Sequence, residues 1–303
     1  PANDREQADG QSPNIPREAS DSDKTRVHPA SGRDVAFEDL TVGERLGSGL
    51  LTEVSEGTVG AKAAPVAVET LSGSSSHTVH EDLFEQFADG VDVWSRIDEH
   101  PNVVSVVASG TEPFPWAALE RCSAQLRPGA VADRSFSAIR DLLVDVLEGL
   151  HYGHRHGLFH GALAPSNVLL LPPDRAGSDR PVAVVSDWEV SAAKLDRSLD
   201  AADVYPRFAS PEQIEPERFR EPDSRTDTYQ VGLLAYALTT GSYLFDESTD
   251  AVEARGTDAI APPSTRASDV PNGLDEVIAT ALAPDPEDRY QTALHFRDAL
   301  ERL

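Results

Sequence analysis

Methionine is absent from this chain and cysteine nearly so, with Cys122 alone among 303 residues. One thiol excludes an internal disulfide and any cysteine-built metal cluster. A lone cysteine reads as a small buried thiol rather than a nucleophile. This fits a reducing compartment, so a cytoplasmic location is expected. Long apolar runs are also missing: no stretch approaches the roughly 18 residues of a membrane span, so no membrane partner is expected. The N-terminus is polar and has no apolar signal-peptide core. A chain that opens on Pro1 without methionine fits removal of an initiator residue. Positive charge is scarce. Of 26 basic residues only Lys24, Lys62 and Lys194 are lysines. No basic stripe runs along the chain, which excludes a nucleic-acid-binding footprint.

Acid is what abounds: 52 acidic residues leave a formal net charge of −26. Such acid-rich, lysine-poor composition resembles that of proteins from extremely halophilic archaea. In molar salt the Debye length is about 3 Å, so the charges repel one another little. The alternative is an acidic face made for a basic partner. Residues 1–36 are rich in Asp, Glu, Ser, Pro and Gly and are expected to form a disordered acidic tail. The rest, 39% hydrophobic overall, can build a core for one large domain or for two lobes around a cleft.

Order is expected from Phe37. Leu40 to Leu46 reads as a strand, Gly47-Ser48-Gly49 as a turn, and the chain through Val54 as a second strand. Pro65 to Leu71 reads as a third. Leu83, Phe84, Phe87, Val91, Trp94 and Ile97 recur at helical spacing over 81–97. Val103–Val107 and Trp116–Leu119 read as further strands. Phe136–His156 is an amphipathic helix, and its late histidines (151, 154, 156) sit where a helix C-terminus favours cations rather than marking a metal site. Then comes His160-Gly161-Ala162-Leu163-Ala164-Pro165-Ser166-Asn167, an apolar strand, and Asp187-Trp188-Glu189 after a second apolar strand. Ser210-Pro211-Glu212, Thr226-Asp227-Thr228-Tyr229-Gln230-Val231-Gly232 and Asp285-Pro286-Glu287-Asp288-Arg289-Tyr290 follow in that order.

This series resembles the protein kinase family. Its catalytic loop is H-R-D-L-x-x-x-N, its glycine-rich loop G-x-G-x-x-G-x-V, and its third strand V-A-I-K. The resemblance covers about residues 38–303. It implies an α+β bilobal protein kinase-like fold, with a small β-rich lobe (37–120) carrying one αC helix and a mainly helical large lobe (121–303). It also assigns positions. Gly47, Gly49 and Val54 would cover the nucleotide phosphates, with Thr52 in place of the third glycine. Ala67 would floor the adenine, Leu119 would guard the back pocket, and Glu120-Arg121-Cys122 would be the hinge. Asn167 and Asp187 would hold Mg²⁺. His160, Glu212, Asp227 and Arg289 would be structural, with a Glu212–Arg289 salt bridge. Trp188 would stack near His160 and Trp94.

The same resemblance shows what has been replaced. Glu69 stands where the family's phosphate-binding lysine belongs. The helix carboxylate that would pair with that lysine falls on Gly90, or on Val91 if one residue is inserted at 98–99. Gly161 stands for the arginine, Ala162 for the catalytic Asp, Ala164 for the lysine that steadies the transferring phosphate, and Glu189 for the pivoting glycine. A unit pair at 4 Å is worth about 4 kcal/mol at an effective dielectric of 20, so reversing one charge at position 69 costs ATP on the order of 8 kcal/mol. Lys62 lies in a turn too far away to compensate. A positioned base supplies roughly 10²- to 10⁴-fold.

The leading expectation is therefore a catalytically inactive pseudokinase, a regulatory or scaffolding module for a protein partner such as an active kinase. Two alternatives stand beside it. One is an atypical active Ser/Thr kinase in which Glu189 replaces the missing base. The other is a sensor that binds Mg-ATP weakly, without turnover, through Asn167 and Asp187.

Overall fold

The computed structural model describes residues 35–48, 52–60, 64–72, 81–188, 207–245 and 260–303. Gly49, Lys62, Glu189, the acidic tail through residue 34, the serine-rich link at 73–80 and most of the acidic insert (246–259) lie outside those residues.

Five strands form the small lobe's antiparallel sheet: β1 (Leu40–Ser48), β2 (Thr52–Val59), β3 (Ala64–Leu71), β4 (Val106–Gly110) and β5 (Trp116–Glu120). Their order is β1-β2-β3-β5-β4. Side chains alternate across a strand, so β3 has two faces. Val66 and Val68 join Leu40, Val107, Trp116 and Ala118 in a small outer core, against which Val35 and Phe37 pack. Ala67, Glu69 and Leu71 take the inner face. There Leu71 and Leu119 share one continuous core with Phe87, Val91 and Trp94 of helix α1 (Glu81–Trp94).

Two boundaries differ from the expectation by three residues each. Helix α1 ends at Trp94 rather than Ile97, and the strand expected at Val103 begins at Val106. The Asp98 carboxylate accepts the Val106 N–H at 3.1 Å, at the first residue of β4. Val103 forms an isolated parallel bridge with Val185, and the Val104 N–H donates to the Val185 carbonyl at 2.9 Å. The displaced segment thus ties the lobes together.

The large lobe carries a three-stranded antiparallel sheet, β6 (Ala124–Gln125), β7 (Val168–Leu171) and β8 (Val182–Val185), in that order. Its main helices are α2 (Phe136–Arg155), α3 (Ser224–Thr240), α4 (Leu274–Ala281) and α5 (Ala293–Glu301). Ser135 caps α2 by accepting the Ala138 N–H at 3.3 Å. Every residue of α3 from Thr226 to Leu238 is buried, so this helix is the lobe's axis rather than a surface element. The architecture is α+β: a sheet-rich small lobe with one helix, and a mainly helical large lobe.

Candidate functional site

The sheet register defines one wall of the cleft. Val54, Glu69 and Ala117 lie opposite one another on β2, β3 and β5, and Glu56, Ala67 and Leu119 form the next rung on the same face. Gly47 pairs with Val54 across β1 and β2. Glu69 is 2% exposed. Burial first, and then the negative charge of Asp187, push its carboxyl up to about 8, while a hydrogen bond from the Thr52 side chain works the other way.

This corrects the electrostatic expectation. At pH 7 Glu69 is mostly a neutral acid, so the site has lost the lysine's attraction without gaining a full repulsion. The penalty for a phosphate falls from the reversed-charge figure to about 4 kcal/mol, the loss of one favourable pair. It grows again as pH rises past 8.

The loop after α2 is held by the axis helix. Asp227 accepts the backbone N–H groups of His160 at 2.8 Å and Gly161 at 2.6 Å, and its carboxylate meets His154 Nε2 at 2.7 Å. Gln230 accepts the Leu163 N–H at 2.8 Å. Gln213 Nε2 donates to the Gly161 carbonyl at 2.6 Å. His160 Nδ1 accepts the Ala162 N–H at 3.2 Å, so its Nε2 carries the proton and donates to the Ser186 carbonyl at 2.8 Å. Its ring meets the edge of Trp188 at 5.1 Å. Trp94 is anchored separately, its indole N–H donating to the Val104 carbonyl at 2.9 Å. Gly153 lets the Trp188 ring approach α2, because a Cβ there would lie 2.5 Å from it. Gly161 has φ +66°, a backbone state that favours glycine.

The loop is therefore braced from several sides, and two of its positions carry methyl groups. Ala162 and Ala164 are buried methyl groups that neither take nor give a proton. Asn167 remains part of the brace: its Nδ2 donates to the Ala162 carbonyl at 2.9 Å, and its Oδ1 accepts the Ser166 hydroxyl at 2.7 Å. Asp187 sits at φ +62°, a left-handed state that Asp tolerates better than most residues.

Asp187 and Asn167 are the residues that would offer oxygen to a Mg²⁺ ion, and the Asn167 Oδ1 already accepts the Ser166 hydroxyl. Among the described residues no group of three or more potential ligands occurs. Mg²⁺ is commonly held by one or two carboxylates plus the substrate's phosphates. The pair thus fits a metal ion carried in by a nucleotide, not one held by the protein alone. Gly90 and Val91 are both buried on α1, so neither register supplies a carboxylate. Glu120 and Cys122 are buried at the end of β5, and the Cys122 thiol faces the Glu120 carbonyl at 3.7 Å. His156 Nδ1 bonds the Tyr152 carbonyl at 2.8 Å and His154 is taken by Asp227.

Among the described residues the large lobe holds a fully buried ion pair. Arg289 donates to both Glu212 oxygens at 2.8 Å, and both side chains are buried. Burial alone would raise the Glu212 carboxyl, but Arg289 and the Thr226 hydroxyl outweigh it and hold it below the usual range. Sequence reading passed over Thr52 as a partner of Glu69, and over Gln213 and Gln230 as clamps. Gln213 directly follows one recognised motif and Gln230 lies inside another, yet their side-chain directions exist only in the fold. It also passed over the Arg121–Glu56 ion pair at 3.0 Å.

Comparison with known proteins agrees with this frame. The family model described as protein kinase domain matches residues 40–300. The chain belongs to the protein kinase family. Serine/threonine-protein kinase Pkn1 of Myxococcus xanthus is 30% identical over 291 residues, 91% of this chain and 41% of Pkn1. Serine/threonine-protein kinase PknB of Mycolicibacterium smegmatis is 27% identical over 216 residues, 67% of this chain and 33% of PknB. The chain therefore spans well under half the length of these relatives. The crystal structure of the Mycobacterium tuberculosis PknI kinase domain superimposes with a TM-score of 0.64 at 24% identity, covering 90% of this chain and 98% of that one, a likeness of fold. Among the described residues no helix is long and apolar enough to cross a membrane.

Proposed function

We propose that this chain is a pseudokinase: a kinase-family domain that does not transfer phosphate and acts as a regulatory or scaffolding module. One observation carries the reading. The phosphate-facing position of β3 is a buried carboxyl, Glu69, set against Asp187, where the family chemistry needs a cation. Ala162 adds to it, since a methyl group cannot accept a hydroxyl proton. The partner is a protein, with an active kinase as the first candidate, and the acidic surface suits either a basic partner or a high-salt cytoplasm.

Retention of Asp187 and of the Asn167–Ala162 brace favours a second reading, weak Mg-ATP binding without turnover. An assay of radiolabelled γ-phosphate transfer, to the chain itself and to a general protein substrate, tests both. No incorporation above background is expected from the wild-type chain. Incorporation that disappears in Asp187→Ala and Asn167→Ala would establish an active kinase instead.

A further inference from the structure

The hinge holds an arginine that does what a base would do. Arg121 follows β5 directly and is 34% exposed. Its Nη1 donates to the Cys122 carbonyl at 3.2 Å. Its Nη2 donates to Glu56 Oε1 of β2 at 3.0 Å. The register shows where that second bond runs. Glu56, Ala67 and Leu119 are cross-strand neighbours on one face, so the bond from Arg121, just past the end of β5, to Glu56 on β2 spans β3 on the Ala67 side. Ala67 is only half-buried and packs against the main core on that same inner face. The guanidinium is planar with donors on its edge, like the amino-bearing edge of a purine. One end occupies a hinge carbonyl and the other is anchored by a carboxylate across the inner wall.

We propose that the Arg121–Glu56 ion pair is an internal strap that closes the base-binding end of the cleft and must open before a planar heterocycle can enter. The strap holds the hinge acceptor with a group of this chain. A ligand has to displace it and then satisfy Cys122 itself. Because Arg121 and Glu56 are both partly exposed, the strap is weak and its strength falls with salt. The inference rests on reading the cleft as one that no longer turns over ATP, and the two can fail separately. Phosphate transfer tests that reading, whereas the strap concerns only the base end, away from Glu69 and Ala162.

The test uses adenosine, which carries no phosphate and so does not meet Glu69 and Asp187 as ATP does. Its affinity is measured by calorimetry or ligand-observed NMR for the full chain, for Arg121→Ala and for Glu56→Gln, at low salt and in molar salt. The expected result at low salt is about three- to fivefold tighter binding in each single variant, the range a partly exposed ion pair commands. The gap between wild type and single variants should close in molar salt. Equal affinities in wild type and single variants at low salt would overturn the strap. So would a gap unaffected by salt, or no adenosine binding in any variant whose melting temperature matches wild type.

Discussion

The cleft and the brace behind it use the same kinds of side chain to opposite effect. In the brace, Glu212 is buried but meets a bidentate Arg289 and the Thr226 hydroxyl, and its carboxyl stays ionised. In the cleft, Glu69 is equally buried but meets another acid, and its carboxyl is driven towards the neutral form. Burial is common to both, and the partner decides the charge. One region therefore keeps the pairs that hold the family's large lobe, while the other has a carboxyl and a methyl where the family pattern has a lysine and an aspartate.

The sharpest way to break the contrast is to remove the cleft's acid. Glu69 has a folded-state pKa near 8 against an ordinary 4.5, so between those values the unfolded chain releases a proton that the folded chain keeps. Stability is then highest below about pH 4.5 with respect to this group, and is lost as pH rises towards 8. Glu69→Gln should match wild type near pH 4.5 and exceed it at pH 9 by on the order of 4–5 kcal/mol, measured by urea unfolding at both pH values. The reciprocal experiment removes the brace's acid. Glu212→Ala leaves Arg289 charged and buried, and should cost about 3–5 kcal/mol at every pH near neutrality.

Smaller effects separate frame from chemistry further. Gln230→Met keeps the volume but deprives the Leu163 N–H of its acceptor, so a loss of about 1–2 kcal/mol is expected in thermal unfolding. Arg220 lies at φ +81° and ψ 171°, a region that suits glycine. Its exposed bond to Glu287 at 2.7 Å is worth little. Arg220→Gly should therefore stabilise the chain by about 1 kcal/mol, visible as a raised melting temperature.

Much of this was legible in the residues alone. The order from Gly47 through His160, Asp187, Glu212 and Arg289 implied two lobes and named the positions where Glu69 and Ala162 replace a lysine and an aspartate. Partnership across the fold was not legible. That Glu69 is mainly neutral depends on its burial and on Asp187, 118 positions away in the chain, against an opposing hydrogen bond from Thr52, which spacing had marked only as a missing glycine. That Arg121 turns back to Glu56 depends on strand register, which a string of apolar positions does not encode. The strand expected at Val103 starts at Val106 because Val103 and Val104 pair with Val185 of β8, a partner that no local pattern names.

The central claim is that the charge state at position 69 denies ATP its anchor. Mg-ATP affinity, compared by calorimetry at pH 7.5 in one buffer for the wild-type chain and Glu69→Lys, tests it most directly. The account predicts that the lysine variant, with Asp187 as its counter-ion, binds at least about a hundredfold more tightly, a conservative fraction of one restored charge pair. Wild-type affinity equal to that of Glu69→Lys would contradict it.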